Sequence, residues 1–368
     1  MSDLNEFNPN RLLIARQRRG LTKKSLAELV GLSTKSITNF ESGDSPPSET
    51  NVLELASKLD FPVEFFFGPD VDVPTDENAS FRSFSRMTAG QKNAALAAGS
   101  IAYLFSDWVD SRFELPSPEI PDCTGMEPEI AAECVRAAWG LGQRPIQNMV
   151  HLLESKGVKV FSLSEETSQV NAFSCWRNGS IPFVFLNTMK SAESSRFDAA
   201  HELGHLVLHR HGSNKGKEVE NEANAFASAL LMPKESVLAF AWNCRTLADI
   251  LRLKKNWNVS AMALTYRLSR VGILTEWLYR GLCIELSSLG ARTSEIDPSP
   301  HETSQILQKV MGFLRDRGMS IRGIASELRI PVSDLNKILF GLTPVLVEGV
   351  VSGSRPSFSE KPSLRLVK

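Results

Sequence analysis

The stretch RFDAAHELGHLVLH, Arg196 to His209, decides how this chain is read. On an α-helix of 3.6 residues per turn, His201 and His205 of its HELGH core lie about 40° apart around the axis, close enough for both imidazoles to hold one Zn²⁺. Glu202 then stands beside the metal, where a carboxylate takes a proton from water and later returns it to a leaving amine. Ligands and base of a metal-dependent peptidase are thus named in five residues. The preceding apolar run IPFVFLN, Ile181 to Asn187, reads as a strand, followed by a polar loop and then the zinc helix. That strand is expected to offer a free edge on which an extended substrate pairs.

A catalytic site with three protein ligands leaves a position for water, so a third ligand is expected downstream. The stretch EVENEANAFASALLMP, Glu218 to Pro233, supplies it on a second helix. Glu220 is the expected ligand, since it shares a face with Ala223, Asn224 and Ala227, whose small side chains let the two helices approach. Glu222 projects about 160° from Ala227 and is the reserve choice, and Glu218 faces water. Asn224, one turn after Glu220, is read as orienting Glu220 or a ligating histidine. His209 sits about 80° and two turns from His201, which strains a shared metal, so His209 and His211 are read as surface or supporting residues. The five cysteines, Cys123, Cys134, Cys175, Cys244 and Cys283, form no CxxC pair and are expected as free thiols in a reducing cytoplasm.

The first seventy residues carry a second signal. Glycines at 20, 31 and 43 and the pair Pro46-Pro47 cut this segment into short helices. Thr22 caps Lys23 to Val30, and Ser33 caps Thr34 to Ser42 across a Gly31-Leu32-Ser33 turn. Leu26, Ala27, Val30, Leu32, Ile37 and Phe40 fall on the faces such a helix-turn-helix buries. Thr34, Lys35, Ser36, Thr38 and Asn39 remain to face base edges in a major groove of double-stranded DNA. The whole chain carries a net charge of only −1. Between residues 11 and 40, however, Arg11, Arg16, Arg18, Arg19, Lys23, Lys24 and Lys35 stand against Glu28 alone, which attracts phosphates. Lys23, Lys24 and Arg11 are assigned to the backbone, Lys35 and Asn39 to the bases.

Residues 11 to 68, through SLAELVGLSTKSITNFESG and LASKLDFPVEFFF, resemble the Cro/repressor (XRE) helix-turn-helix family. Residues 126 to 285 resemble the ImmA/IrrE metallopeptidases through RFDAAHELGHLVLH and ENEANAFASALLMP. The second resemblance implies a zincin-like core in which His201, His205 and Glu220 hold zinc and Glu202 is the base. It also implies a role in switching off a repressor by cleaving it, which frees stress-response or mobile-element genes. The target is then a separate repressor or this chain itself. Two readings from other classes stand beside it: a non-proteolytic repressor using the zincin fold as a ligand or partner sensor, and an interaction protein.

The expected fold is mainly α with a small β-sheet: a five-helix helix-turn-helix bundle over 1–68, a linker and helical connector over 69–125, an α+β zincin-like core over 126–290, and a helical region over 291–368 with a loose tail from about 352. Strands are expected at Val158–Leu163 and Val170–Trp176 beside Ile181–Asn187. Tyr103, Phe105 and Trp108 in the connector are read as core or as a dimer contact. Met319 to Leu342 has a second helix-turn-helix pattern that either touches DNA or packs. Arg196 and His209 are named as candidates for stabilising the oxyanion. No apolar run of eighteen residues and no secretory signal are found, so a cytoplasmic protein off the membrane is expected. Helix-turn-helix readers of two half-sites are dimers, so a homodimer is expected as well.

Overall fold

The computed structural model describes residues 6–75, 88–163, 172–210, 216–291, 293–343 and 365–366. His211, the polar stretch 76–80, Val170 at the start of one expected strand and most of the tail lie outside the described residues.

Four helices, α1 (Pro9–Arg18), α2 (Lys23–Leu29), α3 (Thr34–Ser42) and α4 (Glu49–Leu59), and a 3-10 turn at Val63–Phe67 form the N-terminal bundle. Their boundaries follow from local chemistry. Asn8, Thr22, Ser33 and Ser48 each accept a hydrogen bond from a first-turn backbone N–H, and Gly43 ends α3 in the left-handed region at φ 79°. Leu12, Leu26, Ile37, Leu55, Leu59, Phe65 and Phe66 close the core of the bundle.

Helix α5 (Ala89–Asp110) is 22 residues long, starts at a Thr88–Gln91 capping box, and is buried along most of its length. Its small residues permit that. A Cβ at Gly99 would come within 2.6 Å of Pro74 Cγ and 3.5 Å of the Phe185 ring. Tyr103 and Phe105 are buried against Phe183 and Phe161 at ring distances of 4.5 and 6.1 Å. The aromatic residues of this helix are therefore core, and the dimer-contact reading of them falls.

Strand β1 (Phe113–Glu114) leads to helices α6 (Pro128–Ala138) and α7 (Met149–Ser155), then to β2 (Lys159–Ser162), β3 (Phe173–Arg177) and β4 (Ile181–Leu186). The three-stranded sheet has the order β2-β4-β3, with β2 parallel and β3 antiparallel to β4. Asn178 and Gly179, both at positive φ, make the tight β3–β4 turn, as an Asn-Gly pair favours. The strand order corrects one expectation. The Ile181 run is the central strand, paired on both sides, and β3 is the outer strand that packs against the HELGH helix. Alternation along β3 sends Cys175 toward Tyr103 on α5 and Ser174 to the opposite face, toward Glu202.

Helix α8 (Ala192–Leu208) packs on that opposite face, and α9 (Lys217–Leu231) packs against α8 and α6. They are followed by α10 (Lys234–Ala241), α11 (Leu247–Leu253), α12 (Ala261–Arg270) and α13 (Glu276–Ser288). Gly204, on α8, lies where a Cβ would be 3.0 Å from the Phe226 ring and 3.3 Å from Ala223 Cα. Only glycine lets α9 come this close.

The last helices, α14 (Gln305–Asp316), α15 (Ile321–Leu328) and α16 (Val332–Leu339), join the two ends of the molecule; beyond them a short β5 (Arg365–Leu366) pairs with β1. Glu302, just before α14, accepts hydrogen bonds from Met149 N and Val150 N at the start of α7, and Glu154 on α7 accepts from Gln305 N and Ile306 N at the start of α14. Each acid caps the other's helix, where the N-terminal dipole favours negative charge. The turn before α16 follows Arg329, at φ 56°. Asp334, Leu335, Ile338 and Leu339 of α16 are buried, and Asp334 receives Arg18 Nε at 2.7 Å and Arg19 Nη1 at 2.9 Å from α1. The second helix-turn-helix pattern therefore turns its second helix inward and packs. No helix among the described residues is long and apolar enough to cross a membrane.

Candidate metal centre and nucleic-acid face

Within α8, His201 and His205 sit one turn apart, 5 and 6% exposed, with ring centroids 4.7 Å apart. Their Nε2 atoms are 3.0 Å from each other. Glu220 of α9 brings Oε2 to 3.3 Å from His201 Nε2 and Oε1 to 3.7 Å from His205 Nε2. Four-coordinate zinc with bonds of about 2.0–2.1 Å needs ligand atoms roughly 3.3 Å apart. The observed separations fall around that value, and the donors, two imidazoles and one carboxylate, suit zinc. Among the described residues, this trio is the group of histidine, cysteine or acidic side chains able to close on one metal ion.

The ring orientations are also set for a metal. His201 Nδ1 lies 3.1 Å from Asn224 Oδ1. A carbonyl oxygen only accepts, so Nδ1 carries the proton and Nε2 keeps its lone pair. Burial pulls the His201 pKa down, but a hydrogen bond donated to Glu220 and the charges of Glu202, Glu220 and Asp198 outweigh it and leave it raised.

Glu202 is 4% exposed, and Ser174 Oγ donates to its Oε2 at 2.7 Å. Ser174 carries no signal in the sequence, because a serine inside a strand belongs to no motif and its partner depends on the sheet order. Glu222 lies apart from the trio: its Oε2 is 2.8 Å from His209 Nε2. Arg196 is buried and engaged by Glu302 and the Ile146 carbonyl, so its guanidinium is already committed and the oxyanion role expected of it falls. The cysteines of the chain are free and lie outside the trio, and burial pushes the Cys123, Cys175 and Cys244 thiols up to about 11, 12 and 11.

On the N-terminal bundle, Thr34 and Lys35 are exposed and Ser36, Thr38 and Asn39 half-buried along α3. Thr38 Oγ1 donates to Thr34 O at 3.0 Å, and Ser36 Oγ lies 2.9 Å from Ser33 Oγ. The basic field is weaker than the composition implies. Arg11 is 3% exposed, donates from Nε to Pro69 O at 2.8 Å and lies over the Phe65 ring at 4.8 Å, so its assignment to phosphate is withdrawn. Arg16 is spent on Glu41 and Arg18 on Asp334. Lys23 lies 3.5 Å from Glu41, and Lys24 lies 3.9 Å from Glu28 across an exposed helical pair.

Residues 153–269, which span the whole trio, match the family of the IrrE N-terminal-like domain, and residues 12–66 match the Helix-turn-helix family. The chain pairs an XRE-type DNA-binding domain with an IrrE-like peptidase domain. The IrrE-like family is a metallopeptidase family, and its matched segment holds α8, α9 and the sheet. It is thus a DNA-binding regulator with a protease-like domain. No curated protein matches the chain.

Proposed function

We propose that this chain is a transcriptional regulator whose IrrE-like domain is a zinc-dependent endopeptidase that cleaves a repressor, or the chain itself, to release stress-response or mobile-element genes. The single observation that carries the reading is the convergence of His201 Nε2, His205 Nε2 and the Glu220 carboxylate next to a buried Glu202 held by Ser174. Residues 1–68 read operator DNA as a homodimer, 126–290 carry the peptidase, 69–125 join them, and 291–368 form the helical C-terminal region; the setting is the cytoplasm.

His201, His205 and Glu220 would hold the metal. When bound, it supplies Lewis acidity, bringing the pKa of a water to about 7 and polarising the scissile carbonyl. The work of the chain is positional. An extended substrate pairs with the outer strand β3, which lies along the face of Glu202. Glu202 accepts the proton of the attacking water on its carboxylate and passes it to the leaving amine, a step worth about 10²–10⁴ in rate. Ser174 holds the carboxylate in place, and Asn224 keeps the His201 lone pair inward. On α3, Lys35 and Asn39 read bases, with Thr34, Ser36 and Thr38 beside them and Lys23 and Lys24 on phosphates.

The test is incubation of wild-type and Glu202→Gln protein with repressors encoded beside its gene, scored by mass, with zinc counted per chain. We expect one zinc in both proteins and a new fragment from the wild type alone. A wild type without zinc, or an identical fragment from Glu202→Gln, overturns the proposal.

A further inference from the structure

His209 ends α8 one turn beyond His205 and has no place among the ligands, yet it makes two directed contacts. Its Nδ1 lies 3.1 Å from His205 Nδ1, and its Nε2 lies 2.8 Å from Glu222 Oε2. The two rings are 5.2 Å apart and tilted by 51°, so the contact is between edge nitrogens and not a stack.

The direction of these bonds follows from donor chemistry. An ionised carboxylate only accepts, so His209 Nε2 carries the proton facing Glu222. A ligating His205 keeps its Nε2 lone pair for the metal and carries its proton on Nδ1, so His209 Nδ1 is the acceptor. His205 must then donate from Nδ1, and its lone pair lies on Nε2, the atom that faces His201 Nε2 and Glu220. The geometry points to a relay in which Glu222, through His209, fixes the tautomer and tilt of His205 and so presents Nε2 to the metal. His209 and Glu222 are positioning residues in this relay and touch neither metal nor substrate.

The relay rests on the zinc reading above and deepens it. Helix α9 then controls both histidines of α8: Asn224 sets His201 directly, and Glu222 sets His205 through His209. The same short stretch of α9 also supplies Glu220. Supporting partners of this kind change metal affinity by about 10–100-fold when removed.

The experiment measures zinc affinity by competition with a chromophoric chelator in full-length wild type, Glu222→Ala, Glu222→Gln, His209→Ala and the Glu222→Ala/His209→Ala double variant. Glu222 is exposed, so its variants keep the fold, which thermal unfolding of the zinc-free proteins checks. We expect each alanine variant to bind zinc at least tenfold more weakly, and the double variant to be no weaker than His209→Ala. Glu222→Gln should recover part of the loss, because an amide oxygen still accepts. Long-range ¹H–¹⁵N spectra of histidine-labelled, zinc-free protein should show the Nδ1–H form of His205 depleted in Glu222→Ala. Affinity within twofold of wild type for Glu222→Ala, additive losses in the double variant, or an unaltered His205 tautomer overturns the relay and leaves the zinc reading standing. A wild type that binds no zinc overturns both.

Discussion

Ser174 on the outer strand donates a 2.7 Å hydrogen bond to Glu202 on the metal-bearing helix. It ties the position of the proposed base to the strand on which substrate would lie. Ser174→Ala leaves a buried carboxylate oxygen short of one donor, a loss of about 1–3 kcal/mol in the placement of that group. We expect kcat to fall about tenfold, about 1.4 kcal/mol of barrier, with zinc content unchanged. Turnover of the identified substrate, with metal counted in the same samples, checks this. A kcat equal to wild type would show that Glu202 is held without Ser174.

Gly204 is the glycine of HELGH, and a Cβ there would lie 3.0 Å from the Phe226 ring and 3.3 Å from Ala223 Cα of α9. Gly204→Ala puts a methyl where contacts are 3.0–3.3 Å, so α9 must shift and carry Glu220 with it. Overpacking of this sort costs about 1–3 kcal/mol. Both a lower unfolding temperature without zinc and a smaller stabilisation on adding zinc are expected, read by calorimetry with and without metal.

Asp334 is 0% exposed, and its partner Arg18 is 4% exposed. Breaking a buried pair by removing one partner costs about 3–5 kcal/mol, because the other charge stays buried alone. Asp334→Ala should lose that much in urea denaturation. Arg18→Met combined with Asp334→Leu should lose far less, since the remaining partner, Arg19, is part-exposed and keeps its bonds to the Leu59 and Asp60 carbonyls. Equal losses for the single and double variants would contradict this.

On the proposed DNA face, Lys35→Ala should relax sequence discrimination, whereas Lys24→Ala should reduce the slope of log affinity against log salt by about 0.9. Asn39→Ala should cost about 1–3 kcal/mol of discrimination at one base pair. Arg11→Ala should leave the salt slope as it is and lower stability, because Arg11 braces Pro69 and Phe65. Titrations at several salt concentrations separate the three effects.

Glu129 on α6 is hydrogen-bonded by Arg267 of α12, which with the nearby positive charges holds its carboxyl below the usual range despite partial burial. A depressed folded pKa gives stability that is present above the ordinary carboxylate pKa and is lost as pH falls through the lower folded value. The group is part-exposed, so solvent screening keeps the effect modest. Glu129→Gln should flatten the acid limb of a stability-against-pH curve and leave the neutral region lower by a constant amount.

Much of this was legible in the chain because it is local. Thr22 and Ser33 cap the helices that their side-chain chemistry demands, and the apolar stretches at 158–163 and 181–187 give strands of nearly those bounds. His201, His205 and Glu220 meet because helical spacing and small residues on two helices are readable from sequence. What escaped is long-range. Ser174 gains meaning only when β3 takes the outer place in the sheet. The arginines of α1 looked like a phosphate-binding surface because Glu41, Pro69 and Asp334, which engage them, lie far along the chain.

The union of α1 with α16 has a mechanical consequence. With Arg18 and Arg19 both gripping one acid that has no contact with water, the DNA-reading bundle cannot lean away from the C-terminal helices by small degrees. Any departure has to expel a carboxylate and a guanidinium into solvent together. Movement between the helix-turn-helix bundle and the C-terminal helices is therefore steep, closer to a snap than to a sway.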